Sequence, residues 1–176
     1  GQDFIVDGRE GVPVLAEKRM ALHTSRDFAV SEPLSDALLR LSRESSFEEM
    51  AQQHAMAWHQ IWQYNDIQLD TSDPLDQLVL RLHVFHLCQT ASGNSIDLDM
   101  GIPARGWHGE GYRGHIFWDE LYILPFFNLH QPALSRSLLM YRYRRLGEAC
   151  HAAREEGCRG ARFPWQSGSN GREETQ

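Results

Sequence analysis

The segment Asp97–Glu120, DLDMGIPARGWHGEGYRGHIFWDE, carries glycine at five positions, and that spacing breaks both helical and strand periodicity. Whatever this chain folds into must hold a long irregular backbone in place. Carboxylates stand at both ends of the segment, and Arg105, Trp107, His108, Tyr112, Arg113, His115 and Trp118 lie between them. Glycine permits close backbone approach to a ligand, and this mixture of aromatic, charged and hydrogen-bonding groups suits the grip of a polyhydroxylated molecule.

The flanking sequence is mostly helical in pattern. Ser31-Glu32-Pro33 reads as the start of a short helix ending near Leu41. Ser46 and Glu49 form a capping box. Phe47, Met50, Ala51, His54, Trp58, Ile61 and Trp62 then recur at spacings of three and four, which predicts a helix of about four turns with one apolar stripe. That periodicity favours a core role for Trp58 and Trp62 over a sugar-stacking platform. Asp73-Pro74 opens a third helix, with Leu75, Leu78, Val79, Leu82 and Phe85 on one face and an end near Thr90. Another helix is expected over Asp119–Phe127, and a long one from Pro132 to about Glu156, with Gly157 at its C-cap. Upstream, Phe4–Thr24 is rich in β-branched and aliphatic residues broken by Asp7-Gly8 and Gly11-Val12-Pro13, which reads as two short strands.

Composition excludes several classes. With 17 basic and 24 acidic side chains the net charge is −7, which argues against a nucleic-acid partner. The three cysteines, Cys88, Cys150 and Cys158, are too few and too oddly spaced for a disulfide framework or zinc ribbon and suit a reducing compartment. No apolar run approaches the roughly 20 residues that span a bilayer, and no secretory leader is recognisable, so a cytoplasmic protein without a membrane partner is expected. His83 and His86 sit at i and i+3, but no carboxylate or cysteine nearby completes a ligand set; no metal and no cofactor are expected. Arg142, Arg144 and Arg145 are read as a solvated face paired with Glu148, Glu155 and Glu156 rather than as a phosphate site.

In chain order, GIPARG, GEGYRGHIFWDE, LPFFNL, LLMYRYRRL and GARFPWQSGSNGREETQ resemble glycoside hydrolase family 65, which holds the inverting phosphorylases of maltose, trehalose and kojibiose with some hydrolases. The resemblance is dense from Leu82 to Gln176, and a looser match through EKRMALHTSRD, SEPLSDALL, SFEEM and HAMAWHQIW runs back almost to residue 1. Trp107 and His108 stand where the family more often has Leu and Ser or Thr, and Asp119-Glu120 lacks an intervening Thr, which leaves the sub-specificity open. The resemblance implies a mainly α fold: residues 1–30 as the end of an N-terminal β-sandwich, 31–70 as a helical linker, and 71–176 as the first part of an (α/α)6 catalytic barrel. Family members are several times longer, so it also implies an internal fragment.

The implied chemistry is inverting phosphorolysis of an α-glucosidic disaccharide to β-glucose 1-phosphate, with inorganic phosphate as co-substrate. A hydrolase of the same family acting on trehalose or a related α-glucoside, or a non-catalytic carbohydrate-binding remnant, are the alternatives. The indole of Trp118 suits the C–H face of a pyranose and the Asp119 carboxylate suits two adjacent hydroxyls; the family places its Trp-Asp pair in the subsite for the non-reducing glucose. Arg113 and His115 either contact substrate or tie the loop to Glu110 or Asp99. Trp165 and Gln166 in FPWQS, with Glu173 and Glu174 in GREET, resemble a segment near the active-site mouth. The family's general acid is a glutamate in a later segment reading approximately G-P-D-E-Y, which this sequence lacks. No catalytic residue is assigned, none of Glu110, Glu120, Glu173 and Glu174 is given that role, and the isolated polypeptide is expected to be inactive. Dimers are common among such phosphorylases, so a homodimer is a further expectation for the full-length protein.

Overall fold

A computed structural model describes residue 3 and residues 5–43, 45–96, 98–106 and 111–175. Trp107, His108 and Glu110, singled out above, lie outside the described residues. The chain divides into two compact units, Gly1–Ala55 and Met56–Gln176.

In the first unit the two strands expected over 4–24 do not form among the described residues. A strand exists only as one side of a ladder. Here Ile5, Leu15, Met20 and Leu22 are exposed, and strand-prone side chains without a pairing partner do not order the backbone. Helix α1 (Pro33–Arg43) does form, two residues longer than expected. The Glu32 carboxylate accepts the N–H groups of Leu34 and Ser35 at 3.3 and 2.6 Å, which satisfies two of the donors left over at a helix start. The capping box is also present: Ser46 Oγ accepts from Glu49 N at 3.3 Å, and Glu49 Oε2 accepts from Ser46 N at 3.0 Å. It starts α2 (Phe47–Asn65), within which the division between the units falls.

The second unit contains the end of α2, then α3 (Pro74–Thr90), α4 (Glu120–His130), α5 (Pro132–Arg144) and α6 (Leu146–Glu155), with a two-residue strand on either side of the last three. Trp58 packs 4.7 Å from Phe85 of α3 and 6.4 Å from Trp62, so the two tryptophans serve packing. Asp66 receives both arms of the Arg81 guanidinium, at 2.8 and 2.7 Å, tying the end of α2 to α3.

The start of α3 agrees with the sequence, with Asp73 Oδ1 accepting from Leu75 N at 2.9 Å. Its face does not. Leu75, Leu78, Val79 and Leu82 are exposed, while Val84 and Cys88 are buried. The last turns, VFHLC, are apolar nearly all round, so periodicity alone cannot select the side that packs. Burial pushes the Cys88 thiol up to about 11, which makes it an inert packing group rather than a ligand or nucleophile.

The core gathers Ala91, Ile102, Leu124, Phe127, Leu134 and Leu138. Ile102 comes from the glycine-rich segment, so that segment is anchored from beneath. A Cβ on Gly101 would stand 2.8 Å from Ile116 Cδ1, which explains the glycine by close packing. The long helix expected from Pro132 to Glu156 is two helices. The chain breaks at Arg145 (φ −107°, ψ 13°), whose N–H turns to Arg142 O at 3.0 Å, and Gly147 just beyond is a poor helix former. Gly157 ends α6 as expected, at φ 71°, with Cys158 N on Ala153 O and Gly157 N on Arg154 O in a Schellman arrangement. No helix among the described residues is long and apolar enough to cross a membrane.

Candidate functional site

Strand β1 (Ile116–Phe117) pairs antiparallel with β2 (Gln166–Ser167), placing Ile116 opposite Ser167 and Phe117 opposite Gln166. Single bridges extend the pair on both sides, Pro103 beside Ile116 and Glu173 beside Ser167. Four pieces of sequence are thereby laid next to one another.

The next positions in this register are Trp118 and Trp165. Their ring centroids lie 5.1 Å apart with planes tilted by 33°, and Tyr122, in the first turn of α4, meets Trp118 edge-on at 5.5 Å. All three rings are exposed, Trp118 at 37%, Trp165 at 54% and Tyr122 at 74%. A cluster of exposed aromatic side chains is the kind of surface that covers the C–H side of sugar rings. Asp119, half-buried beside Trp118, makes no capping bond with its side chain, although Tyr122 N binds its carbonyl at 2.9 Å.

His115 joins this assembly through Nδ1, which lies 2.8 Å from Gln166 Nε2. The Gln166 amide donates, Nδ1 accepts, and the ring proton is left on Nε2. Four of the candidates fall along the strand pair, and Asp119 follows Trp118 at the start of α4. Arg113 stands apart: it is exposed, at φ 55°, follows Tyr112 at φ 52°, and takes no ion-pair partner among the described residues. Two consecutive left-handed non-glycine residues are strained, and the Tyr112 ring is held 4.5 Å from Phe117.

The proposed tie of Arg113 or His115 to Asp99 is not made. Asp99 is taken by Arg145, at 3.0 and 3.1 Å, and by Arg144 at 3.0 Å, which hold its carboxyl below the ordinary carboxylate range. Arg145 also donates to Tyr141 O and Ser169 O, both at 2.9 Å, and lies 3.9 Å over the Tyr141 ring. The buried Tyr141 hydroxyl reaches Ser167 Oγ at 3.1 Å and Gly168 O at 2.5 Å. Together these two side chains bolt the glycine-rich segment and the segment after β2 to the end of α5.

The arginine cluster makes its ion pairs elsewhere than with Glu148, Glu155 and Glu156, although Arg144 is solvent-exposed as expected and the Glu148 charge still favours the charged form of Arg145. Arg142 pairs with Glu120 at 2.6 Å, each side chain 12% exposed; Glu156 pairs with Arg162, and Glu155 lies 3.4 Å from His151. Pairs along one helix need a continuous helix, and the break at Arg145 removes that geometry. Burial raises the Glu120 carboxyl above its ordinary value, opposed by Arg142. Among the described residues no group of three or more His, Cys, Asp or Glu could hold a metal.

Residues 81–176, more than half of the chain, match the model of the glycosyl hydrolase family 65 central catalytic domain, and residues 1–61 match that of the family's N-terminal domain. The chain belongs to glycosyl hydrolase family 65. It is 38% identical over 169 residues to kojibiose phosphorylase of Halothermothrix orenii, covering 90% of this chain and 21% of that protein. It is 44% identical over 176 residues to an uncharacterized glycosyl hydrolase of Mycobacterium tuberculosis, covering 100% of this chain and 13% of the relative. A solved chain from the human microbiome, provisionally named a kojibiose phosphorylase, superposes with a TM-score of 0.66 at 34% identity, over 82% of this chain and 20% of that one. This family 65 chain thus spans about a fifth, or less, of the length of the relatives it matches.

Sequence reasoning missed Tyr122 and Tyr141. The first stands at i+4 from Trp118, a spacing that signals contact only once a helix is known to start between them. Nothing local marks the second, since its partners lie beyond α6.

Proposed function

We propose that this chain supplies the glucose grip of an inverting phosphorylase that cleaves an α-glucosidic disaccharide with inorganic phosphate, releasing β-glucose 1-phosphate. The observation that carries this reading is the register of β1 and β2, which sets Trp118 against Trp165 with Asp119, His115 and Gln166 alongside. It is supported by membership of family 65 and by the names of the phosphorylases that match.

On this reading the aromatic row covers the apolar side of the glucosyl ring while the Asp119 carboxylate accepts from adjacent hydroxyls, so that the anomeric carbon is presented to phosphate on the face opposite the leaving oxygen. The leaving oxygen needs a proton donor. Glu120 is committed to Arg142, and the Glu173 carboxylate to the backbone N–H groups of Trp165 and Gln166, so neither carboxylate is available as that donor. We assign the donor to sequence outside these 176 residues, and with it the remaining helices of an (α/α)6 barrel of which 71–176 form the first part, behind a β-sandwich end at 1–30 and a linker at 31–70.

The test is glucose 1-phosphate release by the full-length protein from maltose, trehalose and kojibiose, with and without phosphate. Phosphate-dependent release from one of them is expected. Release of free glucose independent of phosphate would instead establish a hydrolase, the activity class that the name of the Mycobacterium tuberculosis relative carries.

A further inference from the structure

Trp165 and Gln166, the two proposed sugar contacts at the start of β2, have something in common that their side chains do not reveal: one carboxylate holds both of their backbone N–H groups. Glu173 Oε2 accepts from Trp165 N at 2.8 Å, and Oε1 accepts from Gln166 N at 3.2 Å. Oε1 also accepts from Thr175 N at 3.2 Å and Thr175 Oγ1 at 2.5 Å, so the carboxylate is itself held from behind. The backbone supports the arrangement, with Glu173 bridging Ser167 and Glu174 N bound to Gln166 O at 2.9 Å.

We infer that Glu173 is a positioning residue: acting through the amides of Trp165 and Gln166, it sets the Trp165 ring against Trp118 and the Gln166 amide against His115, and so shapes the glucose subsite without touching sugar. This rests on the phosphorylase reading above. The geometry has a direct chemical reason. Two N–H groups on successive residues point toward one place only if the backbone is turned, and two carboxylate oxygens bind both donors where a neutral amide offers a single acceptor. A carboxylate so employed stays ionised. Burial alone pushes the Glu173 carboxyl up, but the bonds from Thr175, Trp165 and Gln166 outweigh it and bring it down to about 2. It is thereby a poor proton donor, in keeping with a structural charge.

The experiment compares Glu173→Gln with the parent full-length protein. The Gln amide keeps one acceptor and turns its NH2 toward the second backbone donor. The first readout is independent of turnover: tryptophans with rings about 5 Å apart couple in the far-ultraviolet circular dichroism, and Trp118→Phe supplies the spectrum without that couplet. Glu173→Gln is expected to lose the couplet and to have a lower Tm than the parent, while helical ellipticity measured well below that Tm stays near the parent value. The second readout is kinetic, on whichever of maltose, trehalose and kojibiose the parent phosphorolyses: KM for the disaccharide rises about tenfold, and KM for phosphate changes less than twofold. Should Glu173→Gln not fold, Thr175→Val, which removes a single donor to Glu173, is expected to move both readouts the same way by less. An unchanged couplet in the folded variant overturns the inference, as does a collapse of kcat at unchanged KM, which would mark Glu173 as a catalytic acid. If the parent turns over none of the three sugars, the phosphorylase reading fails, and the couplet still decides the role of Glu173.

Discussion

The guanidinium of Arg145 holds both carboxylate oxygens of Asp99, at 3.0 and 3.1 Å, and the same side chain crosses Gly171 on the far segment. One residue at a helix break thus fastens two loops that are distant in sequence. Asp99 contributes a left-handed backbone (φ 52°), which aspartate tolerates better than most residues.

Gly171→Ala is expected to destabilise the second unit by about 2 kcal/mol or more, because the new Cβ falls 2.1 Å from Arg145 Cδ and the backbone is at φ 76°. Urea unfolding followed by tryptophan fluorescence measures this. The double variant Gly171→Ala with Arg145→Ala should cost less than the sum of its parts, since the clash partner is gone; simple additivity would contradict the packing described.

Arg142→Met should be costly, about 3–5 kcal/mol, because it strands the Glu120 carboxylate at a site where each partner is 12% exposed. Glu120→Leu with Arg142→Met should regain most of that loss, since two apolar groups leave no uncompensated charge. The comparison to make is between the single and double variants by thermal denaturation, and equal midpoints would show that the pair is not buried as described.

Trp118→Ala and Trp165→Ala are each expected to weaken glucose binding by about tenfold, on the order of 1.4 kcal/mol, with Tyr122→Ala weaker in effect because its ring meets Trp118 by its edge. Calorimetric titration of the full-length protein with glucose reads this directly. Unchanged affinity in both tryptophan variants would remove the platform from the sugar site.

Acid should expose Glu173. Its carboxyl lies at about 2 in the folded chain against an ordinary 4.5, so its contribution to stability is complete above about pH 4.5 and is lost as pH falls toward 2. Asp99 and Asp66 are lowered too and add to the loss in the same direction. The informative quantity is therefore the difference: the urea midpoint of Glu173→Gln should fall less steeply over pH 4.5 to 2 than that of the parent, and parallel slopes would deny Glu173 its bonds.

Features that depend on a few adjacent residues were legible in the sequence. Ser46 with Glu49, Asp73 before Pro74, and Gly157 after α6 do what their local chemistry dictates. Features that depend on a distant partner were not. The β-branched stretch over 4–24 finds no ladder among the described residues, α3 buries Val84 and Cys88 rather than the Leu75–Leu82 face, and the arginines of α5 turn to Glu120 and Asp99. The candidate site shows the same division. Trp118, Asp119 and Trp165 could be named from their motifs, whereas the bond between His115 and Gln166 and the hold of Tyr141 on Gly168 exist only after three helices bring their segments together.

The two short strands lie one before α4 and the other after α6, so their pairing closes a loop that contains three helices. Closing so long a loop for so few backbone bonds is entropically unfavourable by itself, so the pairing depends on the packing of the helices between the strands. The aromatic row is consequently a seal on finished assembly. A chain misfolded between Glu120 and Glu155 keeps Trp118 and Trp165 yet loses the contact between their rings, so that contact reports that the three helices are in place.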